Sequence, residues 1–132
     1  MLKKFTVKST RRSEFIDITK SVEETIRSSG VKSGIAVIHV FHTSAAVTIN
    51  ENADPDVATD MGTFLEKLIP HEAGFRHAEG NSDAHIKSSL FGPSLTVIIE
   101  DGAPSLGTWQ AVYLVDWDGP RTRQYAVKVI AD

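Results

Sequence analysis

Ile35-Ala36-Val37-Ile38-His39-Val40-Phe41-His42-Thr43-Ser44-Ala45-Ala46-Val47-Thr48-Ile49-Asn50 is the stretch on which the fold class turns. Ile35 to Phe41 is almost continuously apolar and β-branched, the pattern of a strand buried on both faces. Ala45 to Asn50 reads as a second strand, with His42-Thr43-Ser44 as the linker. In the first strand Ile38, Val40 and His42 share one side, while Val37, His39 and Phe41 share the other. His39, inside the apolar run, reads as a half-buried histidine with a hydrogen-bond partner. His42, at the mouth of the run, suits a packed position and a functional one equally.

Working outward, residues 2–9 form a strand, Arg11-Arg12-Ser13 a turn and Glu14 to Thr19 a second strand, paired to the first as a hairpin. Ser21-Val22-Glu23-Glu24 fits a capping box for a helix running to Ser29, stopped by Gly30. Asp54-Pro55 is an N-cap followed by proline at the first helical position. Val57, Met61, Phe64, Leu65 and Leu68 then recur at helical spacing, up to Pro70. Residues 71–81 are a polar loop. Asn81-Ser82-Asp83 caps a short helix through Leu90, closed by Gly92-Pro93. Ser94 to Glu100 is a strand and Asp101-Gly102 a turn. Gly107 to Trp117 and Arg121 to Ile130 read as a long hairpin around Asp118-Gly119-Pro120. Seven or eight strands with two or three interspersed helices make an α+β domain with mainly antiparallel sheet.

The chain has 132 residues, the size of one domain, so 1–132 is taken as a single unit. A formal charge of -3 gives no basic footprint for nucleic acid. The absence of cysteine excludes disulfides, thiolate metal sites and a cysteine nucleophile. The first residues carry charges with no apolar segment behind them, and no apolar run approaches membrane-spanning length, so the expected setting is cytoplasmic.

His77 and His85 lie close in sequence, one in the polar loop and one in the first turn of the next helix. They are either exposed surface residues or a pair that the loop brings together. His71, at a helix C-terminus, suits the helix dipole. With no cysteine present, His42, His77 and His85 fit a three-histidine centre of catalytic zinc type, though nitrogen ligands also suit other divalent metals. Glu51 directly follows a strand. Asp60 borders the apolar stripe of its helix, from where a carboxylate reaches inward. Both are candidates for acid–base work. Asp83 serves as a helix cap or orients a histidine, the cap being favoured. Asp118, Arg121 and Arg123 surround the last turn, where arginine forks suit phosphate or carboxylate, or simply a charged turn.

Five blocks occur in order: His42-Thr43-Ser44-Ala45-Ala46; Asn50-Glu51-Asn52 with Asp54 and Asp60; Arg76-His77; Gly80-Asn81-Ser82-Asp83-Ala84-His85; and Gly107-Thr108-Trp109-Gln110 with Asp118-Gly119-Pro120-Arg121. Together they resemble the YjbQ family across nearly the whole chain. Phe75 departs from that pattern, which often has tyrosine there. The resemblance implies a compact α+β domain built around a β-sandwich, a homotrimer, and a polar pocket holding a divalent metal ion, with zinc the first choice. It places the metal ligands on His42, His77 and His85, and family acidic positions on Glu51 and Asp60. The family is commonly labelled a secondary thiamine-phosphate synthase, which joins a pyrimidine pyrophosphate to a thiazole phosphate with release of pyrophosphate. That label implies a small phosphorylated ligand, for which Lys87, Thr108, Arg121 and Arg123 are the candidates. The expected function is a metal-dependent small-molecule enzyme. A non-catalytic trimeric metal or ligand binder is the alternative, and no nucleic-acid or membrane partner is expected.

Overall fold

The fold is described from a computed structural model covering residues 1–132. Its elements are β1 (Leu2–Lys8), β2 (Glu14–Asp17), α1 (Thr19–Ser29), β3 (Gly34–Val40), β4 (Ala45–Glu51), α2 (Pro55–Leu68), α3 (Ser82–Phe91), β5 (Ser94–Glu100), β6 (Ala103–Pro104), β7 (Gln110–Asp116) and β8 (Thr122–Ala131). They form two antiparallel sheets, ordered β1-β8-β3-β5-β6 and β2-β7-β4. The domain is α+β with a sandwich at its centre.

Strand alternation accounts for the layering. Ala36, Ile38 and Val40 of β3 and Tyr125, Val127 and Val129 of β8 point inward from the larger sheet. Val47 of β4 and Val112 and Leu114 of β7 meet them from the smaller one, and Val22 and Ile26 of α1 belong to the same core. A second cluster lies on the other face of the smaller sheet. It contains Ala111, Tyr113, Val115 and Trp117, with Ala84 of α3, and Phe15, Leu65 and Phe91 packed around it. β7 is therefore the strand buried on both faces, from Ala111 to Asp116. β3 is not, because its Ile35 and His39 face outward from a sheet that nothing covers. His39 is exposed and stacks edge-on against Phe41.

Two expected hairpins do not form. β2 pairs with β7, and β1 with β8. β7 and β8 belong to different sheets, and Asp118-Gly119-Pro120 is the corner between them. A buried polar cluster explains why the chain turns from one sheet to the other there. Asp116 ends β7, and both its oxygens accept from Arg123 of β8: Oδ2 from Nε at 2.9 Å, and Oδ1 from Nη2 at 2.7 Å. It also accepts from the Ser9 hydroxyl at 2.6 Å and the Asp118 N–H at 2.9 Å. Arg123 donates in turn to Ser44 Oγ at 2.9 Å. Strand ends from both sheets are thus tied to one carboxylate. Gly119 is required at the corner, since a Cβ there would run into the Arg11 carbonyl and the Ser9 hydroxyl.

α1 starts two residues before the expected capping box. Its N-cap is Ile18, which makes no side-chain capping bond; Asp17, one residue earlier, accepts from the Thr19 N–H at 2.9 Å and hydroxyl at 2.6 Å. Ser21 instead donates to the Ile18 carbonyl and shares a hydrogen bond with Tyr125. α2 begins as expected, with Asp54 accepting from the Asp56 N–H. Its packing differs from the expected apolar stripe: none of its residues is buried, and Phe64 and Leu68 remain 64% and 61% exposed.

Burial alone would raise the carboxyl of Asp116, but hydrogen bonds from Arg123, Ser9 and the Asp118 N–H outweigh it and hold it below its ordinary value. Its stabilising contribution is complete above the unfolded carboxylate range and is lost as pH falls through the lower folded value. Asp116→Asn leaves Arg123 buried without its charge partner and should cost about 3–5 kcal/mol. Urea denaturation at neutral pH checks this; a loss under 1 kcal/mol would show that the corner does not depend on the pair.

Candidate metal centre

The polar loop between α2 and α3 brings His77, Glu79 and His85 together. One ligand atom from each lies within 4.8 Å of the other two. The rings of His77 and His85 are 5.6 Å apart between centroids. Local bonds shape the loop: His71 Nε2 lies 2.8 Å from the Gly80 carbonyl, and the Gly80 N–H closes a turn on the His77 carbonyl at 3.1 Å. Gly80 has φ +78°, which glycine adopts without strain. α3 carries His85 in its first turn, partly buried, while His77 and Glu79 are exposed.

His85 is also aimed from behind. Its Nδ1 is 3.0 Å from the Thr43 carbonyl, an oxygen that only accepts, so Nδ1 carries the proton and Nε2 is left as a ligand. A backbone carbonyl thus has the orienting role, and Asp83 has neither of its expected ones. Asp83 is buried and paired with Lys87 at 3.2 Å and Arg12 at 3.1 Å, and the N-cap residue Asn81 makes no capping bond. Two imidazoles and a carboxylate are a donor set of catalytic zinc type, with room for a fourth ligand. A cavity of about 380 Å³ adjoins the cluster and is lined by His71, Phe75, His77 and Glu79 among others.

The other expected site residues are dispersed. His42 does not belong to the cluster: its Nε2 accepts from the Gln124 N–H at 2.8 Å, so that lone pair is occupied. Burial lowers its pKa, the nearby Arg123 charge lowers it further, and Asp116 opposes them only in part. Lys87 is buried against Asp83 and Trp117, and Arg123 against Asp116 and Ser44, so neither is free for phosphate. Arg121 is half exposed and held on Asp118. Thr108 is exposed in the loop before β7. Glu51 ends β4, whose seven residues put it about 20 Å from the His42 end of that strand. Asp60 is exposed on α2. Glu79 was not singled out in the sequence; its position two residues after His77 was the available signal, but such spacing is common in loops.

The two-sheet sandwich, its sheet-switching corner and the histidine–glutamate cluster define a small α+β domain with one candidate metal centre. The family model described as UPF0047 protein YjbQ-like matches residues 3–132, and the chain belongs to that family. It is 55% identical over 132 residues to a UPF0047 protein of Methanocaldococcus jannaschii, covering 100% of this chain and 96% of the relative. It is 49% identical over 131 residues to the UPF0047 protein YugU of Bacillus subtilis, covering 98% and 99%. Among solved structures, a YjbQ/UPF0047 family protein of Clostridium acetobutylicum superposes with a TM-score of 0.96 at 48% identity, covering 97% of this chain and 99% of that one. A YbjQ-like protein of unknown function from Sulfolobus solfataricus gives 0.96 at 30% identity, covering 100% and 97%. No helix is long and apolar enough to cross a membrane.

The His42 contact has a measurable consequence. A proton on Nε2 breaks the bond from Gln124, so the folded state disfavours the charged imidazole. Stability from His42 is full above the unfolded histidine value of about 6.5 and is lost as pH falls from there toward the lower folded value. Between pH 7.5 and 5.5 the wild type should lose more stability than His42→Gln, as read from urea midpoints. Parallel curves would show that the ring is not held neutral.

Proposed function

We propose that this chain is a metal-dependent small-molecule enzyme of the YjbQ type, holding one divalent ion on His77, Glu79 and His85. The observation that carries the reading is the convergence of those three donors, with His85 already fixed in the tautomer that offers Nε2. Zinc fits this set best, and when bound it would supply a Lewis acid and an acidified water. The adjoining cavity is the place for a small phosphorylated substrate. Of the four expected phosphate groups, Arg121 alone is a half-exposed cation, held on Asp118 through Nε and Nη2. Joining a pyrimidine pyrophosphate to a thiazole phosphate is the first reaction to screen. A homotrimer belongs to the same proposal, supported by the uncovered apolar residues Ile35, Phe41, Ile98 and Ile130 on the larger sheet. Glu51 and Asp60 lie apart from the cluster in one chain, so acid–base roles for them require a neighbouring subunit. Residence in the cytoplasm is also proposed.

A second reading, a non-catalytic trimeric metal or ligand binder, is favoured by one observation. Lys87 and Arg123, two of the four expected phosphate groups, are committed to internal ion pairs.

Metal analysis of untagged protein tests the centre. About one equivalent of zinc per chain is expected, lost in His77→Ala/His85→Ala, reduced in Glu79→Gln and kept in His42→Ala. Loss in His42→Ala with retention in Glu79→Gln would restore the three-histidine set. Arg121→Ala should weaken phosphate-ester binding by about 1.5–3 kcal/mol, the scale of a charge-assisted hydrogen bond. Unchanged affinity would confine Arg121 to the corner. Full metal content without turnover of any phosphate ester would leave the binder reading.

A further inference from the structure

α2 turns toward the smaller sheet a face that does not fill the space beneath it. Ala58, Thr59, Gly62 and Thr63 roof a cavity of about 440 Å³, with the aromatic residues Phe15 of β2 and Tyr113 of β7 among its walls. It shares no lining residue with the cavity beside the histidine cluster. Large apolar side chains of the same helix, Phe64 and Leu68, are spent on solvent instead.

Gly62 sits in the roof of this space. Glycine inside a helix is less favourable than alanine. A Cβ at Gly62 would meet nothing within 4 Å, and its φ lies outside the left-handed region. Neither close packing nor backbone geometry requires glycine there, and a large side chain at this position would enter the cavity.

The charges at the cavity select the ligand. Arg11 is a lining residue whose guanidinium makes no hydrogen bond; its only ion pair is a 4.0 Å approach to Glu14. Glu14 is already held by the Thr10 N–H at 2.7 Å and by the Thr10 hydroxyl. The Arg11 fork is thus available to a carboxylate. Glu66, from the C-terminal half of α2, is a second lining residue of opposite sign and makes no ion pair. The hydroxyls of Ser13 and Thr63 line the cavity between them, while the Thr59 hydroxyl donates to the Pro55 carbonyl and the Asn52 amide to Asp17.

We infer that the cleft between α2 and the β2–β7 pair is a second ligand site, for a small aromatic molecule carrying both a carboxylate and an amino group. Phe15 and Tyr113 receive the ring, Arg11 the carboxylate and Glu66 the ammonium group. The inference does not depend on the metal centre.

The test is a titration of ¹⁵N-labelled full-length protein with L-phenylalanine, in chelator so that the histidine cluster is free of metal. Saturable shifts are expected at the amides of Phe15, Asn52, Gly62 and Tyr113. Affinity should be about tenfold weaker for 3-phenylpropionate and for phenethylamine, each of which lacks one charged group. Gly62→Leu fills the cleft and should abolish binding. Arg11→Gln, on an exposed turn where folding is not at stake, should weaken it several-fold. No saturable shift at millimolar ligand would overturn the site. So would shifts confined to the exposed Phe64–Leu68 side of α2, or unchanged affinity in Arg11→Gln.

Discussion

The buried pair of Asp116 and Arg123 is the constraint on which the arrangement depends. Both groups are nearly or fully removed from solvent, and each is neutralised by the other and hydrogen-bonded by the Ser9 and Ser44 hydroxyls and, for Asp116, the Asp118 N–H. A buried ion pair gives little net stability against an apolar replacement, but leaving one partner alone is costly. Its consequence here is positional. It holds the end of β7, the start of β8, the chain after β1 and the chain before β4 at one corner. That corner sends β8 into the larger sheet, and it sets the height at which Thr43 presents its carbonyl to His85.

The candidate metal centre is built from that corner outward. Thr43 is held because Ser44 is held, and His85 is aimed because Thr43 is. The other two donors come from a short loop whose turn closes on itself through Gly80. A rigid histidine and a surface loop suit a site that accepts an ion while leaving one side open to a ligand. The corner's remaining charges, Arg12, Lys87, Asp83 and Asp118, largely satisfy each other. This explains why a cluster rich in arginine and lysine in the sequence offers so little free positive charge.

α2 shows the opposite economy. Its cap and its length follow directly from Asp54-Pro55 and Pro70, yet its apolar stripe is not where its packing is. Leu65 alone reaches the second cluster from that helix, while Phe64 and Leu68 face solvent and the small residues roof a cleft. Together with the uncovered outer face of the larger sheet, this leaves two apolar surfaces on opposite sides of a small domain. Exposed patches of this kind mark interaction surfaces more often than errors of packing.

Local signals in the sequence were sufficient for the α+β class, for nearly every strand and helix, and for Gly30 and Asp54 as helix boundaries, but they left His77 and His85 open between two surface residues and a pair. Those features rest on residues a few positions apart, where periodicity, capping and turn chemistry act. Strand pairing was not legible: Glu14–Asp17 followed β1 closely enough to suggest a hairpin, yet β2 found its partner in β7 about a hundred residues away. The same holds for β7 and β8, since a turn sequence cannot say whether the next strand stays in its sheet. His42 looked like a metal ligand because it stands at the mouth of an apolar strand, and Arg123 like a phosphate group because it lies beside the last turn. Their long-range partners, the Gln124 amide and Asp116, take up those groups, and Glu79 completes the cluster in place of His42 because loop closure, not sequence order, sets which donors meet.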